Sequence, residues 1–368
     1  MLPSAFRQWL FDRLSVRTMR YVTAVPRDGA AGLTRHVYDM IEEDFFINGS
    51  LTSRSQVPEL MAAIWCLGRE TMLVDDRLDR TTKEAVCGVM SNLNDCPYCG
   101  DMLVSLVHAG DEHDAAEKLF ESRLGEIEDP VLRARLEWVE AVTSPGDREL
   151  PPLPYTVDEL PELLGSMLGM ADINRFSHVV MDGSPVDVGT LQGSALRLFG
   201  NELRATKRRA AEPGRALELL PAAALPDDLA WAAPNPRVAD SIARWAAALR
   251  RETDGVIPAA ARRAVAESLD RWRNEEMPPF GRFEDPDVAH LHGEEQAIAR
   301  LAIVLAKAPY RVTEELVEPL LAGGEERFVR ILAWAASVGA RRFAALVAEH
   351  AARQLGAPRA LATATSGA

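Results

Sequence analysis

Apolar residues recur every three or four positions along most of the chain, the spacing that puts them on one face of an α-helix. In residues 58–72 this face consists of Leu60, Met61, Ile64, Trp65 and Leu67. The same spacing predicts further helices over residues 81–90, 102–109, 114–124 and 130–142. Leucine and alanine are abundant and runs of Val, Ile and Thr are scarce, which favours helices over strands. We therefore predict an all-α fold.

Polar residues interrupt the helical pattern at Ser91-Asn92-Leu93-Asn94-Asp95, because their side chains compete with the helix for backbone hydrogen bonds. Asp95 is a predicted N-cap of the next helix, and Pro97 is tolerated in the first turn of that helix. Gly110 is expected to end it. The segment Cys96-Pro97-Tyr98-Cys99 is thereby predicted to lie at the start of a helix.

Short words of sequence occur twice along the chain and in the same order. The pairs are Arg69-Glu70-Thr71 with Arg251-Glu252-Thr253, Pro154-Tyr155 with Pro309-Tyr310, and Asn174-Arg175-Phe176 with Arg341-Arg342-Phe343. Repeated words in a constant order are typical of an internal duplication. We therefore predict two copies of one helical unit.

The copies and their flanks predict five segments. These are an N-terminal helical arm (1–44), a first domain with both dithiol cysteines (45–188), a partly helical linker (189–236), a second copy (237–356) and a disordered tail (357–368). The linker is inferred from the basic cluster Lys207-Arg208-Arg209 and the Ala/Pro-rich run after it. The tail is inferred from its small and polar residues.

Length and charge narrow the classes of function. The chain has 368 residues, enough for two domains, and a formal net charge of −14, which argues against a sequence-independent nucleic-acid binder. The sequence contains no run of about 18 apolar residues, so no membrane span is predicted. The N-terminus lacks the features of a signal peptide. We expect a cytoplasmic location, where the four cysteines would not form a stabilising disulfide framework.

The Cys96/Cys99 pair differs in kind from Cys66 and Cys87, which are expected to be small buried residues within helices. Cysteine chemistry requires the thiolate, which the N-terminal end of a helix favours. Two cysteines separated by two residues can close a small disulfide ring, in which one sulfur attacks and the other resolves the product. Neither a second Cys/His pair at zinc spacing nor a flavin, nicotinamide or haem signature is present, so we expect no metal and no cofactor.

Eleven residues separate Glu84 from Cys96, and two residues separate Cys96 from Cys99. This spacing resembles that of the alkylhydroperoxidase D and carboxymuconolactone decarboxylase superfamily. Asn92, Tyr98 and Asp101 beside the motif, and Asn174-Arg175 later, are similar to that family as well. The resemblance extends over residues 45–182 and more faintly over 237–350. It implies two tandem alkylhydroperoxidase D-like (AhpD-like) helical-bundle domains.

The resemblance to the peroxidase branch implies Cys99 as the attacking thiol, Cys96 as the resolving thiol and Glu84 as the general base. The family also uses a histidine four residues after the second cysteine, where this chain has Leu103. His108 is expected to point away from the Cys99 face, and His113 to lie on the surface. Without a histidine, Glu84 is expected to deprotonate Cys99 directly or through water, most effectively if burial raises the pKa of Glu84.

Four further residues are candidates for substrate binding, namely Tyr98, Asp101, Leu103 and His178. The second copy is expected to be inert, because Met277 and Phe280 occupy its cysteine positions and Val265 its glutamate position. It would cover a surface that single-domain members bury by oligomerising, and a homo-oligomer is expected for this chain too.

Three functions remain open from the sequence. The first is a cysteine-dependent oxidoreductase of the peroxidase type, acting on a small molecule such as a hydroperoxide and recycled by a dithiol reductant protein. The second is a non-redox decarboxylase or isomerase with Glu84 or Asp101 as proton carrier. The third is a non-catalytic scaffold that keeps the fold.

Overall fold

The computed structural model of the chain describes residues 17–146, 148–184 and 188–356. Within these residues the regular structure is helical and contains no strand, and Met19 and Met181 form an isolated antiparallel bridge. The predicted all-α class is confirmed. Residues 1–16 of the predicted arm and the tail 357–368, predicted to be disordered, lie outside the described residues.

The first part of the described chain carries the dithiol. Its α-helices are α1 (Gly32–Asp44), α2 (Gly49–Thr52), α3 (Pro58–Gly68), α4 (Arg80–Leu93), α5 (Pro97–Ala109), α6 (His113–Phe120), α7 (Pro130–Thr143) and α8 (Leu160–Val180). Local chemistry explains several of the starts, since Asp79 accepts a hydrogen bond from the Thr82 amide at 2.8 Å and Asp129 accepts one from the Val131 amide at 2.8 Å.

Two helices depart from the sequence prediction. The pattern predicted one helix over residues 58–72, but a π-helical turn, Arg69–Leu73, follows α3. In that turn Arg69 and Glu70 are fully buried and bind Asp44 and the Gly214 amide. The Ser91 to Asp95 segment was expected to break the helix, but α4 continues to Leu93, and the Ser91 hydroxyl is satisfied within the helix by donating to the Cys87 carbonyl four residues earlier, at 2.8 Å.

The second part of the described chain contains seven α-helices. They are α9 (Gln192–Lys207), α10 (Pro236–Thr253), α11 (Ala259–Arg271), α12 (Asp285–Val288), α13 (Gly293–Lys307), α14 (Glu314–Leu321) and α15 (Glu325–Gln354). Three of them pack extensively against the first part: α9 on α5, α10 on α3 and α15 on α8. The last two contacts join helices that are counterparts in the predicted duplication.

One apolar core extends through both parts and includes the fully buried Trp65, Trp138, Trp231 and Trp245. Arg175 of α8 reinforces the junction by donating to the Ala306 carbonyl of α13 at 2.9 Å. Because the two parts share a core, the division into two tandem domains stays a prediction.

Helix α15 is long and apolar enough to cross a membrane, by length and composition alone. However, 78% of its 18-residue apolar window is buried inside the protein, as in the core helix of a soluble protein. The absence of a membrane span therefore stays a prediction.

Helix α9 lies within the segment that the composition predicted as a linker, yet it packs closely on the dithiol helix α5. The two helices approach closely at Gly200, where a Cβ atom would overlap the Ser105 carbonyl oxygen and would lie 2.9 Å from the His108 Cβ. Only a residue without a side chain fits there, so Gly200 sets the distance between the two helices.

Gly200→Ala is expected to lower the free energy of unfolding by about 1–3 kcal/mol, because the added methyl group overlaps the α5 backbone. Gly193→Ala on the same helix is the matched control, since its Cβ would meet Phe120 at 3.6 Å, an ordinary contact. The control should be neutral or slightly stabilising through helix propensity. Chemical denaturation of both variants tests the contact, and equal stabilities would contradict it.

Candidate active site

The two dithiol cysteines lie at the start of α5, as predicted, but the cap differs by one residue. Helix α5 begins at Pro97 with Cys96 as the N-cap, whereas Asp95, the predicted N-cap, has a left-handed backbone with φ of 52°. The Cys96 amide donates to the Ser91 carbonyl at 2.9 Å, which closes the turn between α4 and α5. Both thiols are free, and their sulfurs lie 2.7 Å apart.

The Cys99 thiol does not have the low pKa that the helix start led us to expect. Burial and the adjacent Cys96 raise its pKa well above the ordinary value, and Ser177 and Arg54 only partly oppose this. A helix N-terminus contributes about 0.3–1 kcal/mol at an exposed site, and removing an ionised group from water outweighs that. The reduced Cys99 is therefore mainly a thiol at neutral pH.

Cys99 lines a small apolar pocket with a cavity volume of about 70 Å³, between the segment after α1 and the helices α2, α3, α5 and α8. Most of its walls are apolar, including Phe45, Phe46, Trp65, Met72, Leu103, Leu106, Met170 and Ile173. Met72 belongs to the π-helical turn, an irregularity that frequently occurs at functional sites. The apolar lining of this pocket suits a small, largely apolar ligand.

The pocket brings together part of the predicted site. Glu84, Tyr98 and Leu103 line it together with Cys99, and the Tyr98 hydroxyl also accepts a hydrogen bond from the Gly49 amide at 2.8 Å. Cys96 lies behind Cys99 and is not part of the lining.

Asp101 and His178, the other two predicted substrate-binding residues, do not line this pocket. Asp101 binds Ser184 and accepts from the Gln192 side chain at 2.7 Å, so it holds the start of α9 against α5. Burial lowers the pKa of His178, while the charge and the backbone of Asp95 raise it. These contacts place His178 at the turn before the dithiol rather than in the pocket.

Glu84 is fully buried in α4 and held by two cations. Arg80 binds it at 2.8 Å, and Lys207 from the end of α9 contacts its other oxygen. Burial alone would raise the pKa of Glu84, but Lys207 and Arg80 outweigh it, so the pKa is lowered. The expectation of a raised pKa was wrong because Lys207 lies more than 100 residues away in the sequence.

The Glu84 carboxylate of α4 lies beside a different turn of α5 from the one that carries the Cys99 sulfur. Lys207 also donates to the Leu106 carbonyl at 2.7 Å, which places the ion pair beside that residue. Leu106 follows Cys99 by seven residues, about 10 Å along the helix axis. Leu103 lines the pocket between them, at the position where the family that the motif resembles has a histidine.

The two histidines nearest in sequence do not fill that gap. His108 and His113 meet each other, with their Nδ1 atoms 3.0 Å apart, and neither lines the pocket. Burial, His113 and Arg197 lower the pKa of His108 to about 4. His113 was expected on the surface but is half-buried against His108.

A second buried ion pair near Cys99 was not found by sequence reasoning. Arg54, which follows α2, binds Asp172 of α8 at 2.6 Å, and their side chains are only 2% and 3% exposed. Burial raises the pKa of Asp172 to about 6, although Arg54 and Arg175 oppose the shift. A lone aspartate within the apolar stretch of α8 was the signal available in the sequence.

Among the described residues, no group of three or more His, Cys, Asp or Glu side chains is arranged to hold a metal ion. Cys66 and Cys87 are fully buried in α3 and α4, as expected. The groups available for chemistry at the pocket are therefore the dithiol and the surrounding charged side chains.

The chain is 29% identical over 331 residues to alkyl hydroperoxide reductase Rv2159c of Mycobacterium tuberculosis, with 89% of this chain and 94% of the relative covered. No protein-family model and no solved structure matches the chain. The similarity over most of both chains supports an alkylhydroperoxidase D-like family.

The rate of Cys99 alkylation by iodoacetamide should rise continuously between neutral pH and about pH 9, because the raised pKa keeps the thiolate fraction small. Mass spectrometry of the reduced protein, with label counted at Cys99, measures this rate. The charged or titratable groups facing the sulfur are Cys96 and Arg54. A plateau reached below neutral pH would show instead a stabilised thiolate.

Lys207→Met is expected to lower the free energy of unfolding by about 3–5 kcal/mol at neutral pH, because Glu84 would stay buried with Arg80 alone. The lowered pKa of Glu84 means that its ion pairs stabilise the fold above the unfolded pKa of about 4.3, and that this stabilisation is lost as pH falls through the folded value. The difference in free energy of unfolding between the variant and wild type should therefore become smaller at acidic pH.

The adjacent Arg208→Met is the control for the Lys207 variant, since its side chain is 69% exposed and contacts only Asp111 among acidic residues. Denaturation at several pH values compares the two variants. A loss of stability that is the same for both, or that does not depend on pH, would contradict the role of the Glu84–Lys207 pair.

Proposed function

We propose that this chain is a cysteine-dependent hydroperoxide reductase, in which Cys99 attacks the substrate and Cys96 resolves the product. The observation that carries the proposal is the position of Cys99, which lines the apolar pocket and also lies with its sulfur 2.7 Å from the Cys96 sulfur. The similarity to a relative named as an alkyl hydroperoxide reductase supports the same reaction class.

The proposed reaction has two steps within the protein. The Cys99 sulfur bonds to one peroxide oxygen as the O–O bond breaks, which gives a sulfenic acid and an alcohol, and the thiol proton ends on the alcohol oxygen. The Cys96 thiol then attacks the sulfenic sulfur, so that a disulfide forms and water leaves. A dithiol reductant protein, which supplies two electrons by thiol–disulfide exchange, would restore both thiols.

The shape of the site favours an organic hydroperoxide as substrate. The pocket walls are mostly apolar and bury the carbon skeleton of such a molecule, while Cys99 meets its peroxide group. Tyr98 and Leu103 would contact this ligand as lining residues.

Glu84 keeps the charge state that a general base needs, because Lys207 and Arg80 hold it ionised at neutral pH. The same ion pairs make it a weak base. Since Leu103 offers no proton carrier between Glu84 and Cys99, we propose that Glu84 acts through water in the pocket and that the attack of Cys99 is slow at neutral pH.

We further propose a cytoplasmic location and a homo-oligomer. The four free thiols support a reducing compartment. The outward side of α9 supports an oligomer contact, because Leu191 just before the helix and Leu198 within it are each 66% exposed.

Mass spectrometry of the Cys96/Cys99 peptide after one equivalent of an organic hydroperoxide tests the reaction. Wild type should form the intramolecular disulfide, Cys96→Ser should accumulate a sulfenic acid on Cys99, and Cys99→Ser should lose peroxide turnover by at least about a thousandfold. Cys66→Ala is the matched control, because it removes a buried thiol outside the pocket lining, and its turnover should be unchanged.

The same variants separate the alternative functions. A decarboxylase or isomerase would keep its activity in Cys96→Ser and Cys99→Ser and lose it in Glu84→Gln. A scaffold would tolerate all three changes. A dithiol that resists both peroxide and disulfide reagents in the folded protein would overturn the redox proposal.

A further inference from the structure

We propose that the buried Arg54–Asp172 ion pair stabilises the thiolate of Cys99. In this pair the positive charge of Arg54 favours the ionised sulfur, and Asp172 positions Arg54. This inference rests on the proposed function, since it concerns how the attacking sulfur is charged. Neither residue belongs to the motif formed by Glu84, Cys96 and Cys99.

The Arg54 guanidinium is fixed on three sides. It binds the Asp172 carboxylate at 2.6 Å and the Ser50 carbonyl at 2.9 Å, and its central carbon lies 3.7 Å from the centre of the Phe176 ring. A planar guanidinium with these partners has a single orientation. Burial lowers the pKa of Arg54 to about 10, although Asp172 opposes the shift, so the side chain stays charged at neutral pH.

The short helix α2 brings this charge to the dithiol. The Gly49 amide at its start donates to the hydroxyl of Tyr98, the residue before Cys99. The Asn48 side chain caps α2 by accepting from the Leu51 amide at 3.3 Å. Arg54 follows α2 directly, so these bonds tie its position to the start of α5.

The ion pair lies outside the pocket lining. Ser50 and Cys99 line the pocket, whereas Arg54 and Asp172 do not. Arg54 therefore acts on the sulfur from the protein side and leaves the pocket free for substrate. A role in binding a charged part of the substrate does not fit this arrangement.

Stability gives little reason for such a pair. Replacing a buried ion pair by apolar residues of similar size is often neutral or stabilising, because both charges lose their hydration. Buried charges beside a nucleophile are instead typical of functional sites. The pair is thus better explained by its effect on Cys99 than by its contribution to folding.

The charges around the sulfur agree with this assignment. Arg54 lowers the pKa of Cys99 against the larger effects of burial and Cys96, and Ser177 acts in the same direction as Arg54. The Ser177 hydroxyl forms no other hydrogen bond of normal geometry among the described residues, so it is available to the sulfur. Arg175 is the remaining cation that faces Asp172.

The test is the pH profile of Cys99 alkylation by iodoacetamide in variants of the full chain. Arg54→Met should shift the profile to higher pH and slow alkylation at pH 8 by at least about tenfold, the effect of one pKa unit on the thiolate fraction. Arg54→Lys should retain part of the rate, because the charge remains while the fixed geometry is lost.

Lys83→Met is the matched control, because Lys83 and Glu162 form another fully buried ion pair, and neither residue lines the pocket. Its stability should fall while its alkylation profile stays that of wild type. Arg54→Met/Asp172→Leu removes both charges and avoids an isolated buried carboxylate, so it keeps the test valid if the single variant does not fold. This double variant should show the same shift in profile.

A wild-type profile in a folded Arg54→Met or double variant would overturn the inference. So would an equal shift in Lys83→Met, because the effect would then come from general loosening of the core. Alkylation does not require peroxidase activity. A dithiol inert to peroxide would therefore disprove the proposed function, while the alkylation profile would still decide the role of Arg54.

Discussion

The sulfur of Cys99 lies inside the protein, at an apolar pocket and near the buried Arg54–Asp172 ion pair. Burial gives the site an apolar pocket that suits an organic ligand, but it also disfavours the thiolate. Any countercharge must then be buried as well, and each buried charge requires a partner of its own. The Arg54–Asp172 pair, whose side chains are 2% and 3% exposed, has both properties.

The charged side chains around the dithiol come from elements far apart in the sequence. Arg54 follows α2, Glu84 lies on α4 and Lys207 ends α9, while the dithiol begins α5. Helix α9 reaches the site because Gly200 allows it to lie directly on α5. The segment that the sequence predicted as a linker therefore contributes Lys207 to the candidate site.

The second part of the chain supports the site without lining it. Helices α10 and α15 cover α3 and α8, whose other faces line the pocket and hold Asp172. This packing leaves α8 almost entirely buried, so a charge on it is shielded from water on every side. The low exposure of the Arg54–Asp172 pair is thus a consequence of the two-part architecture.

The sequence alone determined the helical class, most helix positions and the place of the dithiol, because periodicity and capping depend on neighbouring residues. It also located Glu84, Tyr98 and Leu103, which share a pocket with Cys99. Only the tertiary structure decided the charge states: Lys207 lowers the pKa of Glu84, and burial raises that of Cys99. Burial and long-range charge pairs depend on how distant helices pack, and no local pattern encodes that packing.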